Sequence, residues 1–453
     1  MTVSRERTHL GGADSAPLVA DLLQEASRTD TSAQRAYEVD RDVVEALRES
    51  VHADAILAEV ELALLAELVE RIASRLDEAA AGEARDRGLV WDVLDVVRRP
   101  SVLTRVDRAD VDAWVKRLLR AVERSNFTVG HLFRHRARTY TAKTLFELPG
   151  VGQSLTWHAA AARVDQLTRG LLALERDGPL TPIAILSENR PEMALLDLTC
   201  LTAGLVDVMV PANSTDQDVG FILRHAKVRT AIVSGREQLH KVLKNREGLP
   251  DLERIVSIDP VDDRDVLSLA DVQARAHETS LDDLSERREA VRIDDLATVM
   301  YTSGTTGMPK GIQFSQRNLV FKRFARALAL PHLGDADVFL CYLPLFHTFG
   351  RYLEMLGCVF WGAKYCFLLD PSVEALIDGM RRYRPSVFIS VPRKWMQLYE
   401  VITQQVDPLH ADDAAIRRAV EDVTGGRLAW GLSAAGHLDA DIFRFFQSQG
   451  VHL

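Results

Sequence analysis

The 453-residue chain reads as an α/β protein with largely parallel sheets, preceded by an α-helical extension. From about residue 125 onward, short apolar runs alternate with helical segments. That rhythm belongs to strands buried on both faces and joined by crossover helices. Between about residues 38 and 123 the apolar residues instead recur at helical spacing, with no strand-like run. The bulk numbers agree: 47% hydrophobic and 26% charged residues suit a globular chain long enough for two or more domains.

The helical stretch is justified by Leu65, Val69, Ile72 and Leu76, which share one face while Glu61, Glu67, Glu70 and Arg71 occupy the others. A break is expected from Gly82 to Gly88, followed by helices over Val90–Val97 and Asp110–Arg120. Residues 1 to about 35 are rich in small, polar and charged types, and their start is expected to be poorly ordered. No chemistry is visible before residue 125, so the extension, taken as 1–124, reads as an element that packs on the main domain or on a protein partner, with a regulatory or membrane-docking role as the alternative. Helix openings follow at Phe127–Ala137 and Leu155–Leu167. Strands are expected at 182–187, 206–210, 230–233, 255–258, 338–343, 365–369 and 386–391. Helices are expected at about 191–203, 351–361 and 372–383, with one capped by Ser214 that carries Val219, Ile222 and Leu223.

The most distinctive stretch is Thr298–Gly311, reading Thr-Val-Met-Tyr-Thr-Ser-Gly-Thr-Thr-Gly-Met-Pro-Lys-Gly. A β-branched and aromatic run empties into Thr302, Ser303, Gly304, Thr305, Thr306 and Gly307. Lys310 follows, and Gly311–Phe314 reads as a second strand. The glycines let backbone N–H groups approach an anion, the hydroxyls donate to phosphate oxygens, and Lys310 adds a compact positive charge. A Walker A loop would put Gly directly before the Lys and run straight into a helix. Here Pro309 precedes the Lys and a strand follows it, so the loop joins two strands. Only afterwards does Ser315 open a helix, with Asn318 at its third position. The bland alternative is an ordinary Gly/Thr turn.

Tyr301–Gly311 resembles the phosphate-loop signature of the AMP-forming adenylating enzymes, the superfamily of acyl-CoA synthetases, peptide-synthetase adenylation domains and luciferases. The resemblance runs from about residue 127 to the last residue. Ala184–Glu192, Ala203–Asn213 and Leu343–Gly350 also carry it, and Ser390–Tyr399 together with Leu343–Glu354 lean towards long-chain fatty acyl-CoA synthetases. It implies two doubly wound α/β subdomains side by side over 125–453, with ATP, Mg²⁺ and CoA as cofactors and a fatty acid as substrate. The implied reaction is carboxylate attack on the α-phosphate of ATP, then acyl transfer to a thiol. An adenylating enzyme that loads a carrier protein, or a non-catalytic remnant that binds nucleotide or a partner, are the alternatives.

The resemblance also assigns residues. His347, in a loop past a strand end, is implied to sit beside the acyl carboxylate and the thiol path; a histidine satisfied by loop backbone is the bland reading. Ser390–Arg393 reads equally as the floor of an acyl pocket or as a strand-to-helix corner. Ala434, Ala435 and Gly436 occupy the place of the family's small-residue adenine loop, with Ala434 and Ala435 where glycines are usual. Alanine costs more wherever φ must be positive, which weakens the expected adenine contact. Asp439 is expected to cap a last helix that Gly450 ends, with Val451–Leu453 starting a strand. The family's Gly-Tyr-Gly-x-Thr-Glu segment and its small C-terminal domain have no counterpart in these residues, so an incomplete form is expected.

Charge and composition narrow the partners. A net charge of −10 argues against nucleic acid. Cys200, Cys341, Cys358 and Cys366 form no C-x-x-C pair and sit in apolar runs, as buried thiols of a cytoplasmic protein would. The first residues show no apolar h-region and no uninterrupted apolar stretch reaches about 18 residues, so neither a signal peptide nor a transmembrane helix is expected. Peripheral contact with a membrane stays open for an enzyme of lipid acids.

Overall fold

The structure is a computed structural model that describes residues 15–28, 33–78, 84–148, 153–175, 182–302 and 308–453. By internal packing the chain divides into two compact units, Met1–His131 with Val320–Leu333, and Leu132–Leu319 with Gly334–Leu453.

The first unit is helical. Leu65, Val69 and Ile72, the predicted face, are buried in the Leu62–Glu78 helix. Trp91 packs its ring on Phe127 at 4.5 Å and on Phe324 at 5.8 Å. Asp40, almost wholly buried, is gripped at both oxygens by Arg71 at 2.8 and 2.9 Å. Arg105 donates to the carbonyls of Leu57 and Val60, which end a short helix. Two local expectations need correction. Gly88 lies inside the Ala84–Val97 helix rather than in the break, its cost outweighed by the buried Val90, Trp91, Val93 and Leu94 around it. A helix at Ala16–Arg28 was not foreseen; the expected disorder of the start falls partly on residues 1–14, outside the described residues.

The second unit holds thirteen strands among the described residues: β1 Thr144–Glu147, β2 Ser154–Thr156, β3 Ile183–Ser187, β4 Asp207–Pro211, β5 Thr230–Val233, β6 Arg254–Ser257, β7 Val266–Ser268, β8 Leu296–Thr302, β9 Lys310–Ser315, β10 Val338–Cys341, β11 Lys364–Phe367, β12 Val387–Ser390 and β13 Trp430–Ser433. They form a seven-stranded sheet ordered β7-β6-β5-β3-β4-β8-β9 and a six-stranded sheet ordered β13-β12-β10-β11-β1-β2. Every pairing is parallel except β8 with β9 and β1 with β2. Both sheets are doubly wound, as expected. In the first, the chain steps from β3 to β4 on one side and then crosses to β5 on the other; β10, β11 and β12 repeat the manoeuvre in the second.

Burial follows the residue types. β3 and β5 are buried throughout, and the Pro191–Ala203 helix is buried from Met193 to Ala203, as apolar runs without a polar face must be. Pro191 and Pro392 open their helices at the first turn, where the missing N–H costs nothing. The helix start expected at Ser214 is capped one residue later, by Thr215 accepting from the Asp218 amide, which puts the hydroxyl at the right offset. Asp439 caps the last helix and Gly450 takes a left-handed φ of 86° after it. His452 then bridges to Trp430 in parallel. All four cysteines are free and buried. Among the described residues no helix is long and apolar enough to cross a membrane.

Candidate functional site

β8 and β9 pair antiparallel, with Thr302 opposite Lys310, so the phosphate-loop motif lies between two paired strands, as its sequence predicts. Both residues are exposed, and the Lys310 ammonium makes no ion pair or hydrogen bond with the described residues. Ser303, Gly304, Thr305, Thr306 and Gly307 lie outside the described residues. Gly311 sits opposite Tyr301; a Cβ there would lie 3.1 Å from the Tyr301 ring. That ring is held by a 2.7 Å hydrogen bond between its hydroxyl and His225 Nδ1. Gly311 thus leaves room for the aromatic wall under the hairpin. Ser315 and Asn318 cap the following helix reciprocally, as expected.

In the other sheet, three neighbouring strands bring the remaining predicted residues to one edge. His347 follows β10, Ser390 ends β12, and Ala434–Gly436 follow β13; β10 and β12 flank the point where winding reverses. Tyr342 and Ser390 hydroxyls bond at 2.7 Å, and the Ala434 amide donates to the Ser390 carbonyl at 3.1 Å. His347 is exposed. Its Nδ1 accepts a long bond from the Phe349 amide, at 3.4 Å, and its ring stacks on Phe349. Ala435 adopts φ 65°, the left-handed conformation that L-residues avoid. The concern raised by alanine in place of glycine therefore lands on this residue.

Three residues that support the site were missed. Asn189, just past β3, donates to the carbonyls of Tyr342 and Leu343 and accepts from the Leu345 amide, tying the carboxyl ends of the two sheets together. His225 braces Tyr301. Arg351, four residues after His347, is fully buried between Asp197 and Asp207. The sequence does hold a signal for the last: Asp197, Asp207 and Arg351 are charges set within apolar runs.

These groups fit a nucleotide. A lysine ammonium without a partner among the described residues, on the strand opposite Thr302, suits phosphate, and the exposed backbone of Ala435 and Gly436 suits a flat base. Ser433 Oγ, buried beside that backbone, has no partner among the described residues. A metal fits less well: among the described residues no group of three or more His, Cys, Asp or Glu side chains is placed to hold one. Mg²⁺ would enter with the phosphates, where it neutralises charge.

A model of the family described as AMP-binding enzyme matches residues 133–452. Among curated proteins, long-chain-fatty-acid–CoA ligase 6 of Rattus norvegicus is 30% identical over 267 residues, 56% of this chain and 38% of that protein. Long-chain-fatty-acid–CoA ligase FadD15 of Mycobacterium tuberculosis is 28% identical over 258 residues, 57% of this chain and 42% of that protein. The matches span well under half the length of either relative. Among solved structures, the anthranilate CoA ligase AuaEII in complex with anthranoyl-AMP superposes with a TM-score of 0.58 at 19% identity, covering 72% of this chain and 58% of that one. At that identity the likeness speaks for the fold.

Proposed function

Because the chain belongs to the AMP-binding enzyme family, we propose that it activates a long-chain fatty carboxylate with ATP and passes the acyl group to CoA. One observation carries this reading: the antiparallel pairing that sets Thr302 opposite Lys310, whose ammonium has no partner among the described residues. The names of the rat and mycobacterial relatives support the choice of a long-chain acid.

In the first step a carboxylate oxygen attacks the α-phosphorus of ATP, the bond to the β-phosphate oxygen breaks, and pyrophosphate leaves. Lys310 and the Thr302 hydroxyl stabilise the negative charge that builds on the leaving group. In the second step the thiolate of CoA attacks the acyl carbonyl and AMP departs. His347, exposed past the end of β10 in the other sheet, would orient the carboxylate oxygens. The Ala434–Gly436 backbone would seat the adenine.

Exchange of labelled pyrophosphate into ATP, dependent on oleate, tests the first step; oleoyl-CoA formation tests the second. Lys310→Ala is expected to lower exchange about 100-fold, the usual effect of removing one group aimed at developing charge. Exchange by the wild type that is indifferent to oleate would sink the fatty-acid reading. Exchange without acyl-CoA formation would favour a carrier-loading enzyme.

A further inference from the structure

The Arg351 guanidinium is completely buried and reaches three separate elements. Its Nε and Nη2 bond to Asp197, in the Pro191–Ala203 helix, at 2.9 and 2.5 Å. Nη2 also bonds to both Asp207 oxygens, at the start of β4, at 2.9 and 2.8 Å. Nη1 donates to Thr298 Oγ1, in β8, at 2.7 Å. Thr298 and Thr302 stand four apart on one strand, hence on the same face. On its own element, Arg351 lies in a π-helical turn, Phe349–Met355, a costly backbone form that concentrates at functional sites. The Arg351 amide donates to the His347 carbonyl, and Gly350 beside it presses on the carbonyls of Leu343 and Pro344 so closely that a Cβ would collide with them.

We propose that Arg351 is a positioning residue of the activation step, locking the His347 loop to the strand that presents Thr302. This rests on the function proposed above. Fold stability alone gives a weak reason for the cluster, because a buried ion pair is often no better than well-packed apolar residues of the same volume. A guanidinium fork that bonds three elements at once fixes their relative positions, which apolar packing does less sharply. Near-attack geometry is sensitive to displacements of about 1 Å. A slipped His347 loop would therefore slow chemistry while leaving ATP able to bind.

The test uses Arg351→Lys, which keeps the charge but cannot span three partners, and Thr298→Val, which removes one hydrogen bond and leaves the ion pair. Oleate-dependent pyrophosphate exchange is read as kcat and KM, and amide hydrogen exchange is followed in the peptides covering 296–302 and 342–349. Expected are a kcat reduced at least tenfold in Arg351→Lys and severalfold in Thr298→Val. KM for ATP should stay within about threefold of wild type, with faster amide exchange in both segments. Unchanged kcat in both variants, or faster exchange in only one of the two segments, overturns the coupling. If Arg351→Lys fails to fold, Thr298→Val alone decides. A wild type without pyrophosphate exchange would defeat the proposed function, and the amide-exchange arm would still judge the coupling.

Discussion

Ala435 carries a measurable strain. A left-handed φ of 65° costs an alanine about 1–2 kcal/mol, part of which glycine would return to a more flexible unfolded chain. Ala435→Gly should therefore raise the unfolding free energy by about 0.5–1 kcal/mol in urea titrations; a decrease would show that the alanine methyl makes a compensating contact. Asp207 is a second residue with a testable consequence. Burial first, then the nearby Asp197, pushes its carboxyl from 3.8 up to about 8, against the pull of Arg351; Cys200 also faces the group. An acid whose folded value is raised binds more protons folded than unfolded. Its contribution is thus fully present below about pH 4 and is lost as pH rises through about 8. Between pH 6 and 9 the wild type should lose stability relative to Asp207→Asn, whose neutral amide does not titrate. Parallel curves for the two proteins would contradict that protonation.

At the scale of elements, the π-helical turn depends on one small residue. Gly350→Ala drives a methyl into the Leu343 and Pro344 carbonyls, so the loop bearing His347 must shift. Overpacking of this kind costs about 1–3 kcal/mol. Pyrophosphate exchange should fall with it, and an activity equal to wild type would mean that the loop has another position available. Sequence reasoning found most of these elements and missed the kind of detail that matters here. The buried strands announced themselves, because β3, β5 and β12 are unbroken apolar runs, and the hairpin followed from Pro309 and the strand after Lys310. β1, β2, β7 and β13 escaped notice, being only three or four residues long with mixed polarity. The helix expected at about 351–361 exists, but neither its start at Phe349 nor its π-helical first part is visible in spacing, since periodicity records which residues face inward and not how wide each hydrogen-bonded turn is. The candidate site could be named from sequence where its chemistry is local, as in the expectation for Thr302 and Lys310. It could not where partners are far apart in sequence, as with Asn189 bonding Leu343 or Arg351 bonding Thr298.

Across the whole molecule, the first unit takes in Val320–Leu333, a segment that follows the hairpin in sequence. Phe324, fully buried there, meets the edge of Trp91. Phe324→Ala should cost about 3–5 kcal/mol. Amide exchange should localise that loss to the helices around Trp91, and a loss confined to the strands would refute the assignment of Phe324 to the helical core. The same discontinuity sets an order of events during synthesis. A domain emerging from the ribosome ordinarily completes itself before the next begins. Here the amino-terminal helices must wait for some two hundred intervening residues before Phe324 can close their core, so the segment made first is among the last to be finished. Nascent chains arrested before residue 320 should therefore be cut by protease within the helical unit, and chains extended well past residue 333 should resist.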